Sequence, residues 1–383
     1  MSRFAIPFTR PHRSGREAAL VGDALAGDHW RGDGPYTARA SSLLSPLVGG
    51  GKVLLTTSCT HALEMSALLL AVGPGDEVIV PSFTFVSTAS AFALRGARVV
   101  FADVDPRTLC LDPADVARKV TSRTRAVVVV HYAGVAADVD ALREAASSAA
   151  LIEDNAHSLF GTWRGRPLGS FGRMATQSFH DTKNLSCGEG GALVLNDRAL
   201  EERAEIVREK GTNRARFFRG QVDKYTWVDV GSSYLPSDLL AAVLVAQLEV
   251  APAIQKARHR TWSRYQDALA PWAARHGVQQ PHVPDGAAHA AHLYWMRVRD
   301  LATRQALIAH LAAAGIQATF HYQPLHLSEV GAKAGGKPGD CPVSELVADT
   351  LVRLPLYTDL GDADIDRVLT AVTSFTSFTA SAR

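Results

Sequence analysis

Apolar strand-like runs alternate with helical patterns between residue 50 and residue 200. Nearly uninterrupted apolar runs, many of them β-branched, predict strands at residues 76–80, 97–102, 125–130 and 150–154. Helical patterns between these runs predict helices at residues 60–72 and 136–148. Strand–helix–strand units at this spacing are typical of a mainly parallel sheet, and the apolar strands indicate that helices cover both of its faces.

A less regular part of the sequence follows. Residues 174–179 and 191–195 predict two further strands, and residues 197–210 predict a helix with several i,i+4 charge pairs. Residues 211–234 are rich in Arg, Gly, Asn and aromatic residues and predict a long loop. In a compact domain, a loop of this length is usually functional.

The C-terminal part of the chain predicts a smaller unit. A long helical pattern at residues 237–276 leads into it, and the following elements are predicted as a strand at 291–298, a helix at 303–314, a strand at 317–321 and a helix at 362–375. The sequence therefore predicts an α/β protein with a large domain at residues 1–250, which includes an N-terminal arm, and a small C-terminal α/β domain at residues 251–383.

Composition narrows the class of protein. The 383 residues are 47% apolar and 20% charged, and 40 Lys and Arg residues nearly balance 38 Asp and Glu residues. This is the mix of a soluble globular protein, and it offers no basic excess for binding nucleic acid. The apolar runs are too short to span a membrane, and the first ten residues lack the apolar core of a signal peptide. We therefore expect a cytoplasmic protein that binds neither nucleic acid nor a membrane.

The cysteines and the missing motifs exclude several kinds of chemistry. Cys59, Cys110, Cys187 and Cys341 lie far apart without a CxxC pair, so neither a metal site nor a disulfide framework is expected. The chain also lacks the GxGxxG, GxxxxGK[ST], GxSxG and HExxH motifs. The predicted sheet must therefore serve a different small-molecule chemistry.

Residues 178–191 contain the densest group of unusual residues. Lys183 lies there between two predicted strands, and three glycines follow it at positions 188, 190 and 191. A partly buried lysine has a lowered pKa and can act as an amine that traps a carbonyl group. The common alternative is a solvent-exposed lysine in a loop, and the residues alone leave both interpretations open.

Three other segments could hold a cofactor. Asp154 ends a predicted strand, where it could pair with a pyridine nitrogen or cap a helix. Residues 56–61 precede a predicted helix and could bind a phosphate or only cap that helix. Phe85 could stack on a planar ring or pack in the core. Together with Lys183, this set of groups fits pyridoxal 5′-phosphate better than any other cofactor.

Several blocks of the chain resemble the DegT/DnrJ/EryC1/StrS sugar aminotransferases, which are fold-type I pyridoxal-phosphate enzymes. The resemblance runs over nearly the whole chain and is most specific at residues 58–60 (SCT), 81–88 (PSFTFVST), 131–135 (HYAGV), 178–183 (SFHDTK), 210–214 (KGTNR) and 217–227 (FFRGQVDKYTW). Within the family, the chain is most similar to the branch that aminates dTDP-4-keto-6-deoxyglucose at C4.

The resemblance implies roles for four residues around the cofactor ring. It identifies Lys183 as the residue that binds pyridoxal phosphate covalently and then moves the proton between the carbons of cofactor and substrate. It identifies Asp154 as the partner of the pyridine nitrogen. By the same resemblance, Phe85 stacks on the ring and His157 lies close to it.

The resemblance also implies how the cofactor phosphate is held. The backbone at Cys59 and Thr60 binds it together with the hydroxyl of Ser178. In most of the family, an asparagine of the partner subunit also reaches this phosphate, and Ser233 stands at that position here. We therefore expect a homodimer with shared active sites.

A last set of residues is implied for the substrates. His321 and Tyr322 begin a segment (HYQPLH) that resembles a substrate-site loop of the family, and they are expected to face the sugar. Lys224 and Tyr225 are expected to contact the nucleotide sugar from the neighbouring subunit. The implied reaction moves an amino group from L-glutamate to C4 of a nucleotide-linked keto-deoxysugar, dTDP-4-keto-6-deoxy-D-glucose, and gives a dTDP-4-amino-4,6-dideoxyhexose.

Three alternatives to this reaction stay open from the sequence. The same chemistry could occur at C3 of the sugar. A dehydratase could use the same cofactor, but dehydratases of the family carry histidine in place of the lysine, so Lys183 argues against this. A cofactor-binding regulator without turnover is disfavoured by the intact set of lysine, acid and phosphate-binding residues.

Overall fold

A seven-stranded sheet forms the centre of the protein. The computed structural model describes residues 4–376. The strands in this part of the chain are β1 (Lys52–Thr56), β2 (Glu77–Pro81), β3 (Arg98–Ala102), β4 (Thr124–Val130), β5 (Ala150–Asp154), β6 (Thr162–Trp163), β7 (Arg166–Pro167), β8 (Met174–Ser178), β9 (Gly191–Leu195), β10 (Ala287–Ala288), β11 (Tyr294–Arg297) and β12 (Leu351–Leu354). The central sheet has the order β1-β9-β8-β5-β4-β2-β3, and only β9 runs against the others within the described residues. This confirms the predicted mainly parallel α/β sheet.

Helices cover both faces of this sheet. Within residues 4–376, the α-helices are α1 (Glu17–Ala26), α2 (Pro35–Leu44), α3 (Cys59–Leu69), α4 (Ser87–Ala93), α5 (Pro113–Lys119), α6 (Val139–Ala146), α7 (Glu201–Arg208), α8 (Arg214–Phe218), α9 (Asp238–Glu249), α10 (Ala251–His276), α11 (Leu301–Ala313), α12 (Glu329–Lys333), α13 (Pro342–Thr350) and α14 (Asp362–Thr373). In β4, Val128 packs in one apolar cluster with Leu63 of α3, whereas Val127 and Val129 pack in another with Leu142 of α6. Successive side chains of β4 therefore pack against helices on opposite faces of the sheet, which explains why the whole strand is apolar.

The structure adds one strand to the central sheet and corrects one predicted strand of the C-terminal unit. Strand β1 was not predicted, because it begins with a lysine and directly follows three glycines. The strand predicted at residues 317–321 is wrong: residues 316 and 319 make isolated bridges to Ile6 and Arg353. The strand that pairs with β11 is β12, whose apolar run is interrupted by Arg353.

The helix predicted at residues 237–276 is two helices. α9 ends before Val250 and α10 begins at Ala251, and their axes differ by 63°. Pro252 in the first turn of α10 has no N–H to continue the preceding helix, so it favours a new start. Within residues 4–376, no single helix is long and apolar enough to cross a membrane, and α9 and α10 reach that length and composition only when taken together.

The C-terminal unit has its own apolar cluster. Side chains of α10, β11 and α14 pack there, including Trp262, Met296 and Val368. Ile6 belongs to the same cluster, and its backbone N–H bonds to the carbonyl oxygen of Gly315 at 3.0 Å. The N-terminal segment is thus tied to the C-terminal unit, and the division near residue 250 stays a prediction.

A buried carboxylate fixes the loop between β7 and β8. Glu153 is completely buried and accepts hydrogen bonds from the backbone N–H groups of Gly169, Phe171 and Gly172 at 2.6–2.7 Å. His131 Nε2 lies 3.0 Å from the same carboxylate. Burial alone would raise the pKa of Glu153, but these hydrogen bonds outweigh it and lower the pKa.

We expect Glu153→Gln to lower the free energy of unfolding by about 3 kcal/mol, because an amide cannot accept all of these hydrogen bonds. Since the pKa of Glu153 is lowered on folding, its contribution is present above the unfolded pKa and lost as pH falls through the folded pKa. The difference between wild type and variant should therefore shrink in acid. Urea unfolding at neutral and acidic pH measures this, with the exposed Glu329→Gln as control. Equal stability of both variants at pH 7 would contradict the prediction.

Candidate active site

A cavity of about 720 Å³ lies at the carboxyl ends of the parallel strands, where open α/β sheets bind ligands. The residues predicted from the sequence that line it are Cys59, Thr60, Phe85, Asp154, His157, Ser178, Lys183, His321 and Tyr322. The C-terminal unit contributes further wall residues, among them Arg353 and Leu354 of β12. The fold thus brings distant segments of the chain together at one site.

Hydrogen bonds from Thr88 and from the backbone of Ala156 hold Asp154 in the cavity. It is the last residue of β5 and is 6% exposed. Thr88 Oγ1 donates to its Oδ2 at 2.7 Å, and the backbone N–H of Ala156 donates to its Oδ1 at 3.3 Å. Because the single hydroxyl proton of Thr88 is used in this way, the neighbouring hydroxyl of Thr84 must donate to Thr88 at 2.9 Å. Burial raises the pKa of Asp154, and the hydrogen bond from Thr88 opposes this rise.

We expect Thr88→Val to lower kcat/KM by about 10- to 100-fold, the usual effect of losing a buried hydrogen bond to a charged group. Without this donor the pKa of Asp154 rises further, so the acidic limb of the pH profile of kcat/KM should move to higher pH. Thr88→Ser keeps the hydroxyl and is the matched control. The account is wrong on this point if the serine variant loses as much activity as the valine variant.

Lys183 lies half-buried in a turn after β8. The next residue, Asn184, is fixed by its side-chain amide, which donates to the carbonyl oxygen of Ala290 at 2.8 Å and lies 2.9 Å from His292 Nδ1. Burial lowers the pKa of Lys183, and the charge of Arg353 acts in the same direction. A lowered pKa increases the fraction of neutral amine, which is the form that attacks a carbonyl carbon.

Three imidazole rings lie near this lysine. His157 stacks on His292 with ring centres 4.3 Å apart, and it is nearly parallel to His321 at 6.3 Å. Burial lowers the pKa of all three rings, so they are neutral at pH 7. The Nδ1 atom of His157 is buried without a hydrogen-bond partner in the described part of the chain, which leaves it available to a ligand.

The first turn of helix α3 faces the same cavity. The Ser58 side chain caps this helix by accepting a hydrogen bond from the N–H of His61 at 3.1 Å. The N–H groups of Cys59 and Thr60 have no partner within the helix, so they can bind an anion. The Ser178 hydroxyl, at the end of β8, lies in the wall of this cavity as well.

A glycine lets β9 approach this end of α3. A Cβ atom at Gly191 would lie 2.3 Å from the carbonyl carbon of Ser58. Gly191 also pairs with Ser178 across β8 and β9. Any side chain at position 191 would therefore push apart the groups that are placed to bind an anion.

Aromatic side chains form another wall of the cavity. Phe85 is 57% exposed and lies 6.4 Å from the ring of Tyr322. Tyr322 stacks on His321 at 3.7 Å, and the Nδ1 atom of His321 lies 3.0 Å from the Tyr132 hydroxyl. An exposed phenylalanine at a cavity is available to stack on a planar ring.

The comparisons with known proteins decide the family. The sequence pattern of the DegT/DnrJ/EryC1/StrS aminotransferase family matches residues 11–373. The chain belongs to this family.

The relatives are similar over nearly the whole chain. The spore coat polysaccharide biosynthesis protein SpsC of Bacillus subtilis (strain 168) is 33% identical in an alignment of 377 residues that covers 96% of each protein. The crystal structure of the aminotransferase TlmJ from Streptoalloteichus hindustanus has a TM-score of 0.87 and 34% identity, and covers 96% of this chain and 98% of that one. The PLP form of the putative sugar aminotransferase Spr1654 from Streptococcus pneumoniae has a TM-score of 0.88 and 28% identity, with coverage of 96% and 98%. These findings confirm the predicted fold class, aminotransferase activity and the pyridoxal phosphate cofactor.

The residues of this DegT/DnrJ/EryC1/StrS aminotransferase fit its cofactor. A half-buried amine, Lys183, and a buried carboxylate, Asp154, line one cavity. The free N–H groups at the start of α3 suit a phosphate, and the unpaired Nδ1 atom of His157 suits a polar group of the ring. When bound, pyridoxal phosphate supplies a carbonyl group that accepts an amino group and a ring that withdraws electrons from the reacting carbon.

Three predicted site residues lie outside the cavity of their own chain. Ser233, Lys224 and Tyr225 are exposed and none of them lines the cavity. Tyr225 packs against Phe217, with ring centres 5.7 Å apart. The predicted roles of these residues involve a partner subunit, so they stay predictions.

Sequence reasoning missed three residues of the site. Thr88 lies within a segment that resembles the family, but its contact with Asp154 depends on the fold bringing the start of α4 to the end of β5. His292 lies 108 residues after Asn184 in the sequence, beyond α9 and α10. Arg353 could have been found from the sequence, because a charged residue inside the apolar run Leu351–Leu354 indicates a specific contact.

Proposed function

We propose that this aminotransferase moves the amino group of L-glutamate to C4 of a nucleotide-linked keto-deoxysugar, with dTDP-4-keto-6-deoxy-D-glucose as the preferred substrate. L-Glutamate becomes 2-oxoglutarate and the ketone becomes an amine, so the two half-reactions together need no oxidant or reductant. The observation that carries the proposal is the placement of Lys183 and Asp154 in one cavity at the carboxyl ends of the sheet.

In this proposal, Lys183 does the proton transfer. Its Nζ removes the proton from the α-carbon of glutamate and later delivers a proton to C4 of the sugar. Burial lowers the pKa of Lys183, which brings the amine closer to the pH at which it must both accept and donate a proton. Asp154 keeps the ring nitrogen of the cofactor protonated, and Thr88 keeps Asp154 in place.

The remaining cavity residues bind and orient the cofactor. The N–H groups of Cys59 and Thr60 and the hydroxyl of Ser178 hold the phosphate of the cofactor. Phe85 would stack on the ring of the cofactor, and the unpaired Nδ1 atom of His157 would be available to a polar group of it. These assignments come from the resemblance, and they are supported by the finding that all five residues line one cavity.

A sugar is the proposed amino-group acceptor for two reasons. SpsC is named for polysaccharide biosynthesis, and Spr1654 is described as a putative sugar aminotransferase. In this chain, the wall formed by His321 and Tyr322 offers imidazole and phenol groups, which suit the hydroxyls and the apolar face of a deoxysugar. The choice of C4 follows the resemblance at residues 210–227.

We also propose that the working unit is a homodimer with shared sites. Trp227 is 76% exposed, and Tyr225 and Val230 in the same loop are about half exposed. Such a group of exposed apolar side chains is typical of an interface. Lys224 is exposed and makes no ion pair within the described residues, so we propose that its charge binds the diphosphate of the substrate. Ser233 is exposed as well, and we propose that it contacts the cofactor phosphate of the partner.

Mixing two inactive variants tests the shared sites. A Lys183→Ala protein and a Lys224→Ala/Tyr225→Ala protein should each be nearly inactive. Random reassociation makes about half of the dimers mixed. Each mixed dimer carries both defects in one of its sites and none in the other, so about a quarter of all sites should work. No recovery of activity on mixing, with mixed dimers demonstrated by two affinity tags, would contradict shared sites.

The substrate assignment is tested by following 2-oxoglutarate release. Wild-type protein is incubated with L-glutamate and either dTDP-4-keto-6-deoxy-D-glucose or the corresponding 3-keto isomer. We expect the release of 2-oxoglutarate to depend on the 4-keto sugar. For the 3-keto isomer we expect a kcat/KM at least about 100-fold lower than for the 4-keto sugar, because its ketone lies away from the reacting amine. Faster turnover of the 3-keto isomer would assign the enzyme to C3 instead.

A further inference from the structure

Ser82, His326 and Glu345 form a hydrogen-bonded network that the proposed reaction does not use, which we call the His326 network. His326 is completely buried, and its Nδ1 atom lies 2.5 Å from the Ser82 hydroxyl. Its Nε2 atom lies 3.0 Å from the Glu345 carboxylate. Because a carboxylate only accepts hydrogen bonds, Nε2 donates to it, and Nδ1 of the neutral ring accepts from the Ser82 hydroxyl. Both ring nitrogens are thus used within the protein, and neither is available to a ligand.

Burial excludes a chemical role for these three residues. Serine, histidine and glutamate can form a nucleophilic triad, but the Ser82 side chain is completely buried and no substrate can reach its hydroxyl. None of the three residues lines the active-site cavity. The His326 network can therefore act on the reaction only through the segments to which it is attached.

The His326 network joins two segments that line the cavity. Ser82 directly follows β2 and lies three residues before Phe85. His326 lies four residues after Tyr322, at the end of the segment that is expected to face the sugar. The N–H of Leu325 also donates to the carbonyl oxygen of Ser82 at 2.9 Å. The side chain and the backbone of Ser82 thus both hold the sugar-facing segment.

The aromatic walls of the cavity depend on this connection. The ring of Tyr322 lies 6.4 Å from the ring of Phe85. Ser82 stays with the central sheet, because its N–H donates to the carbonyl oxygen of Ala102, the last residue of β3, at 2.8 Å. If the bond between Ser82 and His326 is lost, the sugar-facing segment is therefore the part that moves, and the space between the two rings changes.

The other end of the network is also anchored to the central sheet. Glu345 lies in α13 and accepts a second hydrogen bond, from the N–H of Gly339, at 2.7 Å. Asp103, which directly follows β3, accepts from the N–H groups of Val343 and Ser344 in the first turn of α13, at 2.8 Å each. The network thus holds the sugar-facing segment between two groups that are fixed to the sheet.

We propose that His326 is a positioning residue for the sugar acceptor, which holds the sugar-facing segment at a fixed distance from Phe85. This inference rests on the proposed function, because it concerns the acceptor half-reaction of the same site. The donor half-reaction depends on Lys183 and Asp154, and Asp154 is held by Thr88 instead. Loss of the network should therefore weaken the reaction with the sugar far more than the reaction with the amino donor.

Two amide substitutions separate the two hydrogen bonds of the ring. His326→Gln keeps a donor for Glu345 and removes the partner of Ser82, whereas His326→Asn keeps an acceptor for Ser82 and does not reach Glu345. For His326→Gln we expect kcat/KM for dTDP-4-keto-6-deoxy-D-glucose to fall about 10-fold, mainly through KM, and kcat/KM for L-glutamate to change by less than about 2-fold. His326→Asn should keep kcat/KM for the sugar within about 3-fold of wild type.

A substitution at the partner residue tests the same bond from its other end. Ser82→Ala should give the same loss with the sugar as His326→Gln, and it decides the question if His326→Gln does not fold. Combined in one protein, the two substitutions should lower kcat/KM no further than either alone, because both remove one hydrogen bond. His282→Gln is the matched control and should behave like wild type, since His282 hydrogen-bonds only to the exposed Arg107 within residues 4–376.

The outcomes separate this inference from the proposed function. If wild type aminates the 4-keto sugar and His326→Gln loses no rate, or loses equally with both substrates, the positioning role is overturned. It is also overturned if His326→Asn loses as much as His326→Gln, or if Ser82→Ala reacts with the sugar like wild type. If wild type reacts with L-glutamate but transfers nothing to the sugar, the proposed function fails and this inference fails with it.

Discussion

Replacing Lys183 by alanine should lower kcat/KM for amino-group transfer by at least about 1,000-fold, because both the covalent attachment of the cofactor and the proton transfer depend on its amine. The loss should appear in both half-reactions. The visible absorption of the lysine-bound cofactor should disappear as well, although the phosphate-binding groups at the start of α3 are unchanged. Rates are measured with L-glutamate alone and with the complete reaction mixture.

Lys333→Ala is the matched control for this substitution. The Lys333 side chain is 72% exposed on helix α12 and pairs only with Glu329 among the described residues. It should leave both the absorption spectrum and the rates unchanged. An amino sugar formed at a substantial rate by the Lys183→Ala protein would contradict the assigned role of Lys183.

Asp154→Asn should have the second-largest effect, a loss of about 100- to 1,000-fold in kcat. An amide keeps the size of the side chain and can still accept the hydrogen bond from Thr88. It carries no negative charge, so it cannot hold the ring nitrogen of the cofactor in its protonated form. The rate is measured at saturating cofactor and substrates.

Stability separates this effect from misfolding. Burial raises the folded-state pKa of Asp154 above its unfolded value, so its ionised form opposes folding of the cofactor-free protein, and the cost is fully present above the folded pKa. Asparagine removes this cost. The cofactor-free Asp154→Asn protein should therefore have a thermal midpoint at pH 7 equal to or higher than that of wild type. A much lower midpoint together with lost activity would show that Asp154 acts on folding rather than on the cofactor.

The sequence predicts the central sheet well because its strands are buried on both faces. Such strands read as uninterrupted apolar runs, as in Val127–Val130 of β4. Strands at the edge of the central sheet or in the C-terminal unit are less uniformly apolar, so the sequence predicts them less well. β1 begins with Lys52, which pairs with Glu205, and β12 contains Arg353, which turns into the cavity. In both strands a charged residue has a local role, and that role depends on contacts distant in sequence.

The residues of the candidate site also differ in how well the sequence predicts them. Asp154 ends β5 and Lys183 comes after β8 of the same sheet, so the sequence could place both at one edge. Thr88 and Arg353 reach the site through helix packing and through the C-terminal unit, which local patterns do not encode. Ser233 depends on a second subunit and could be assigned only by resemblance.

Transfer of ¹⁵N from L-[¹⁵N]glutamate to the sugar is the most direct test of the account. Wild-type protein is incubated with the labelled donor and unlabelled dTDP-4-keto-6-deoxy-D-glucose, and the product is analysed by ¹H–¹⁵N correlation NMR. The account predicts ¹⁵N attached to C4, correlated with the proton on that carbon, and no transfer by the Lys183→Ala protein. A label at C3, or labelled glutamate consumed without a labelled sugar, would contradict it.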